Sequence, residues 1–253
     1  MQLHQSTILN KEQLSLNEWR FTFDAPALCE VAKPGQFVMV ECGGNTFLRR
    51  AISINDCVGG KLSLMFAVVG EGTHALATLN IGDEVSLLGP LGNGFDCNIE
   101  KQKVAFIAGG IGKAPFEYLS KALLAKGNEI TYVVGGRDTA SLAGLDCYAQ
   151  MPGVELFLAT EDGSLGEKGF VSTYFESLKN VSRIYSCGPT PMLKAVQQFA
   201  EENNIPCQLS LEGKMACGVG VCLGCTCQSK HEEKPYPKVC VDGPVFWTEE
   251  VKF

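Results

Sequence analysis

The sequence predicts a β + α/β protein: an antiparallel β-barrel, then a doubly wound parallel sheet, then a small C-terminal segment organised by cysteines. Three observations carry that expectation. Over the first hundred residues, short β-rich runs alternate with glycines and no long helical pattern intervenes. From about residue 103, buried-type strands alternate with helical stretches. Near the C-terminus Cys217, Cys222 and Cys225 stand at C-x4-C-x2-C spacing, and Cys240 follows after fourteen residues.

The barrel expectation rests on strand-like runs at residues 36–40, 61–69 and 84–88. Glycines at Gly35, Gly43, Gly44, Gly59, Gly60, Gly70 and Gly82 punctuate them. Such closely spaced strands close into a small antiparallel barrel. The next region reads strand 104–108, a glycine turn, and a helix opening at Pro115, with Phe116, Leu119 and Leu123 on one face and Gly127 as its stop. Strands at 130–134, 154–159 and 183–187 follow, with helices at about 139–150 and 169–179. Thr190 and Pro191 open a further helix as N-cap and first-turn proline, and a last strand at 207–211 leads into the cysteines. The expected domains are 1–99, 100–208 and 209–253.

Composition narrows the chemistry. At 253 residues the chain exceeds the ~100–150 residues of a typical domain. A formal net charge of −7 without a Lys/Arg block argues against nucleic acid. No apolar run reaches the ~18 residues of a membrane span, and no signal-peptide pattern opens the chain. Twelve cysteines without an export signal fit a reducing cytoplasm better than a disulfide framework.

The four-cysteine spacing is the ligand order of plant-type 2Fe–2S clusters. Gly218, Gly220 and Gly224 interleave the first three, which lets a short loop wrap closely. Structural zinc would instead favour two separated C-x2-C pairs. Cys227 falls outside the order and reads as a bystander thiol.

Other segments suit nucleotides. Gly109, Gly110 and Gly112 form a strand-to-helix turn where backbone N–H groups can meet a pyrophosphate. Cys187, Gly188 and Pro189 end a later strand of the same sheet, which brings the Cys187 thiol to the crevice where a nicotinamide could lie. Glu161 and Asp162 end another strand and could meet ribose hydroxyls. In the barrel, Arg50, Ala51, Ile52 and Ser53 place an arginine suited to phosphate beside a hydroxyl, although Arg50 and Ser53 fall on opposite faces of an ideal strand. Gly70, Gly72 and Thr73 supply small residues and a hydroxyl after a strand, and residues 89–95 form a rigid Gly/Pro turn ending in Phe95. Each turn alone is an ordinary loop; their order along one chain is the signal.

That order resembles the ferredoxin–NADP reductase superfamily, and the cluster segment from Met215 to Cys225 with Cys240–Phe246 is similar to the electron-transfer subunits of dihydroorotate dehydrogenase B. The resemblance spans essentially the whole chain. It implies FAD on the Arg50–Ser53 segment, NAD in the second domain with Cys187 near the flavin–nicotinamide contact, and a 2Fe–2S cluster on the four cysteines. It further implies a partner subunit that holds FMN and oxidises dihydroorotate to orotate in pyrimidine biosynthesis, assembled as a heterotetramer of two subunits of each kind. Electrons would then travel through the cluster and FAD to NAD+. NAD is expected over NADP because no arginine cluster follows Glu161 and Asp162. Ala51 replaces the family's usual proline, and Phe116 a leucine-like residue. A second reading is a diaphorase-like subunit serving a hydrogenase or ferredoxin-linked complex. A third is a zinc-stabilised or redox-sensing interaction module.

Overall fold

The computed structural model describes residues 2–44 and 46–253. Six strands close into an antiparallel barrel: β1 (Gln2–Gln13), β2 (Glu18–Asp24), β3 (Phe37–Val40), β4 (Arg50–Val58), β5 (Lys61–Ala67) and β6 (Glu84–Leu91). Around the barrel the order is β1-β2-β5-β4-β3-β6. The inward-facing Phe21, Phe23, Val38, Val40, Ile52, Leu62, Leu64, Val85 and Leu87 fill its interior as one apolar cluster. Closure leaves no unpaired strand edge. Two short helices interrupt the strands, α1 (Pro26–Cys29) and α2 (Glu71–Thr78). The second was not legible as a helix. It starts where the Thr73 hydroxyl accepts hydrogen bonds from Val69 N (3.0 Å) and Gly70 N (3.2 Å).

The second sheet comprises β7 (Lys103–Gly109), β8 (Glu129–Gly136), β9 (Val154–Thr160), β10 (Glu167–Lys168), β11 (Arg183–Cys187) and β12 (Cys207–Ser210). Past the cysteines come β13 (Gln228–Ser229), β14 (Val245–Trp247) and β15 (Val251–Lys252). The order β10-β9-β8-β7-β11-β12-β14 shows the chain winding outward from β7, then returning to its other side. Strands β7 to β12 pair in parallel, and a topological switch falls between β7 and β11. Strand β14 runs antiparallel to β12, with Phe246 opposite Leu209. The cysteine segment thus contributes an edge strand to the parallel sheet.

Helices α3 (Phe116–Leu124), α4 (Asp146–Ala149) and α5 (Thr190–Glu202) join the strands. The stretch expected to be helical at 139–150 divides into a 3₁₀ turn (Thr139–Leu142) and α4, because Gly144 adopts φ +77 between them. The stretch at 169–179 forms 3₁₀ turns over Val171–Leu178. Pro189, rather than Thr190, occupies the N-cap of α5, and no side chain caps it. One core links the three parts of the chain. Phe37 and Met39 of the barrel, Leu193 and Val196 of α5, and Cys225, Val239 and Cys240 belong to the same buried cluster.

Candidate functional site: two adjoining cavities and a cysteine loop

A cavity of about 300 Å³ opens between the barrel and the sheet. Ala51, Ile52 and Ser53 of β4, Thr73, Gly112 and Cys187 line it, joined by Met65, Phe66, Glu212, Gly213 and Met215. The register of β4 on β3 runs unbroken from Arg50 to Ser53, so the two residues do lie on opposite faces. Ser53 faces the cavity, whereas Arg50 turns toward the start of α2. A Cβ on Gly72 would lie 2.5 Å from Arg50 Nε, so glycine is what lets the guanidinium reach the helix N-terminus. A guanidinium against free helical N–H groups is a cradle for a phosphate group. Arg50, Gly70 and Gly72 do not line either cavity, and the Thr73 hydroxyl is engaged within its own turn.

Gly112 sits where β7 meets β11. A Cβ there would lie 2.6 Å from the carbonyl carbon of Cys187 and 2.7 Å from Gly188 Cα. The two predicted turns therefore touch through their backbones at the switch point. The Cys187 thiol is buried, and burial, then the nearby Glu212 carboxylate, pushes its pKa up to about 12. A hydrogen bond with Ser210 opposes that shift only partly. Cys187 is a neutral thiol at ordinary pH. Burial also raises the pKa of Glu212, which opens onto the cavity. Glu212 was not singled out from sequence, although it stands five residues before Cys217, and Met215, which opens the cluster segment, lines the cavity beside it.

A larger cavity of about 960 Å³ lies beside the first and shares Ala67, Val69 and Ile111 with it. Gly109, Gly110, Pro189 and Glu161 line it. Gly110 takes φ +53, a left-handed conformation that favours glycine. Asp162 is turned aside, its carboxylate accepting a hydrogen bond from Ser164 N at 2.9 Å. Gly188 also lies off the lining; its φ of +153 shapes the strand exit instead. Arg137, Asp138 and Ser141 after β8, and the β1–β2 hairpin residues Ser15 to Glu18, complete the wall. None was singled out from sequence; the strand exit at β8 was the available signal.

The wall of the smaller cavity runs from Glu212 through Met215 directly into Cys217. Cys217 Sγ accepts from Val219 N and Cys222 N, each at 3.4 Å. Those backbone donors hold its pKa down at about 6, so it is substantially thiolate at neutral pH. Cys222 lies near enough to Cys217, and Cys225 to Cys240, to influence their ionisation, and Cys217 bears on Cys240 as well. Among the described residues no three ligand side chains converge as for a single metal ion. The C-x4-C-x2-C order with a distant fourth cysteine suits a binuclear centre in which each iron takes two cysteines, whereas structural zinc favours two separated C-x2-C pairs. Gly218 (φ +70) seats the loop against Met39 of β3, where a Cβ would lie 2.6 Å from Met39 Cγ. Cys227 faces Pro237 O instead, at 3.7 Å.

A barrel and a doubly wound sheet enclosing adjoining cavities, with a cysteine loop at their junction, define the class: a ferredoxin-reductase-like oxidoreductase subunit that carries an iron–sulfur domain. Residues 212–252 match the family model described as the iron–sulfur cluster binding domain of dihydroorotate dehydrogenase B. The chain is 38% identical over 252 residues to the electron transfer subunit of dihydroorotate dehydrogenase B (NAD(+)) of Caldanaerobacter subterraneus subsp. tengcongensis, covering 98% of each chain. It is 40% identical over 238 residues to the corresponding subunit of Desulforamulus reducens, covering 91% of this chain and 90% of that one. Among solved structures it is similar to the NADH-dependent reduced ferredoxin-NADP oxidoreductase studied for flavin-based electron bifurcation. That likeness has a TM-score of 0.86 at 30% identity, over 98% of this chain and 90% of the other. The chain belongs to the family of dihydroorotate dehydrogenase B (NAD+) electron transfer subunits. No helix of the described residues is long and apolar enough to cross a membrane.

Proposed function

We propose that the chain links an FMN-containing dihydroorotate dehydrogenase subunit to NAD+, with FAD in the smaller cavity, NAD in the larger one and a 2Fe–2S cluster on Cys217, Cys222, Cys225 and Cys240. The observation that carries this reading is contiguity: Val69 and Ile111 border both cavities, and the wall at Met215 leads into the cysteine loop. When bound, an iron–sulfur centre carries single electrons, a nicotinamide exchanges two, and a flavin couples the two kinds of step.

The chain's own residues then have defined work. Arg50 and the N-terminus of α2 would hold the flavin nucleotide's phosphates, and Ala51 to Ser53 would border its ring. The turn at Gly109 to Gly112 would take the dinucleotide's pyrophosphate, with Glu161 toward a ribose. Pro189 would border the nicotinamide from the larger cavity, and Cys187 would face the flavin–nicotinamide contact from the smaller one, its thiol a neutral packing group. The backbone N–H groups of Val219 and Cys222 would hold charge on Cys217 sulfur. Val221 and Leu223 project into solvent at 79% and 62% exposure beside the exposed Cys222, which supports this face as the partner's docking surface. Two copies of each subunit, in the cytoplasm, complete the proposal.

The test is a set of serine variants at the four cysteines, purified with the partner. Each should lose the cluster's absorption and the NAD+-coupled oxidation of dihydroorotate. Retained NAD+-dependent turnover in all four would sink the reading.

A further inference from the structure

Lys113 is 1% exposed, an unusual burial for an ammonium group. It closes the glycine turn, in a position from which it reaches two other elements. Its Nζ donates to Glu18 Oε2 at 2.7 Å and to the Ser141 carbonyl at 3.0 Å. Glu18, itself 6% exposed, begins β2 on the barrel, and its carbonyl accepts from Leu14 N (2.9 Å) and Ser15 N (3.3 Å) of the hairpin. Ser141 is tied to Asp138 at the exit of β8: its N–H donates to Asp138 Oδ1 at 2.9 Å, and its hydroxyl donates to Asp138 O at 2.6 Å. One buried ammonium group thus joins three separate segments of the larger cavity's wall: the hairpin at Ser15 to Glu18, the turn at Gly109 to Ile111, and the β8 exit at Arg137 to Ser141.

We propose that Lys113 and Glu18 are positioning residues, a clasp that holds the wall of the larger cavity assembled for its dinucleotide. The inference rests on the assignment of NAD to that cavity. Neither residue needs to touch the ligand for this role. The pair is not required to keep barrel and sheet together, because α3 and its approach carry further links along the same seam. Lys121 pairs with Asp56, Tyr118 Oη donates to Ala32 O at 3.0 Å, and Asn55 Nδ2 donates to Ala114 O at 2.7 Å. Those contacts involve residues outside the larger cavity's lining, whereas Glu18 and Ser141 form part of it. Removing the clasp therefore leaves the domains joined, with Arg20 Nη2 still donating to Gly144 O at 3.3 Å, and loosens the three wall segments against one another. The ligand then binds only the assembled fraction, and its apparent affinity falls in proportion to that fraction. Because assembly precedes chemistry, the loss falls on KM and spares kcat.

A single substitution would strand a buried charge and confuse folding with function. The informative variant is the double replacement Lys113→Met with Glu18→Leu, in the FAD-loaded protein with its partner. An apolar pair can fill the space and keep the fold, but it makes no directed bond to Ser141 O. We expect a melting temperature close to the parent's, a KM for NADH at least fivefold higher with ferricyanide as acceptor, and kcat within twofold. Lys113→Arg, which can still bond both partners, should return KM most of the way. An unchanged KM in the double variant would overturn the clasp. Hydrogen exchange separates this from failure of the cavity assignment. If NADH protects residues 109–112 and 135–141 in the parent, the cavity holds the dinucleotide and only the clasp is on trial. If it protects neither segment, the cavity assignment itself falls.

Discussion

Gly72→Ala separates the proposed flavin site from the stability of the fold, because its two effects have opposite sign. The new Cβ would meet Arg50 Nε at 2.5 Å, Cζ at 2.7 Å and Nη2 at 2.8 Å, so the guanidinium has to leave its place beside α2. Arg50 is half-buried and can swing outward at little cost to the apoprotein. Gly72 lies within α2 without a positive φ, so alanine suits the backbone and adds up to about 1 kcal/mol of stability. That corresponds to a rise of about 2–4 °C in Tm for a chain of this size. Against this, a displaced arginine forfeits charge-assisted hydrogen bonds to phosphate worth about 1.5–3 kcal/mol, or roughly 10- to 100-fold in FAD affinity. Fluorescence titration of the apoprotein with FAD, beside a thermal melt of the same sample, reads both numbers. FAD affinity within twofold of the parent would refute the assignment of Arg50 to the phosphates.

Three further outcomes follow from the junction of the strands. Gly112→Ala would push a methyl group into the backbone of Cys187 and Gly188, which cannot yield as a side chain can; overpacking of about 1–3 kcal/mol should lower Tm by at least a few degrees and weaken NADH binding. A variant with unchanged Tm and NADH affinity would contradict the closeness of the two turns. Cys187, with its pKa raised from 9.0 to about 12, should resist iodoacetamide at pH 8 in the native protein and react once unfolded, as mass spectrometry of labelled peptides can read. Because the folded pKa lies above the unfolded one, this thiol's contribution to stability is complete below pH 9 and is lost progressively as pH rises toward 12. A thiol-dependent limb in the NADH reaction between pH 6 and 9 would refute its neutrality.

The parallel sheet was legible because buried strands such as 104–108 are continuous apolar runs with glycine at their exits. Strand β1 was not, since QLHQSTILNKEQ carries a polar composition and holds its place by pairing with β2 and β6. The same limit applied to the site. Cysteine spacing and glycine turns announce themselves locally, and Ala51 to Ser53, Gly109, Gly110, Gly112 and Cys187 do line the cavities. Lys113 and Glu18 lie 95 positions apart and acquire meaning only when the barrel docks on the sheet. Glu212 reads as one more surface carboxylate until the fold turns it into the cavity beside Cys187.

One chain that wires a nicotinamide through a flavin to an iron–sulfur centre should pass electrons from NADH to both. The most direct measurement is an absorption titration with NADH of the protein purified without oxygen, with its iron, zinc and flavin content determined on the same sample. Stoichiometric iron and FAD are expected, with the flavin band bleaching and the iron–sulfur band falling as NADH is added. Zinc in place of iron, or a flavin that NADH leaves unbleached, would contradict it.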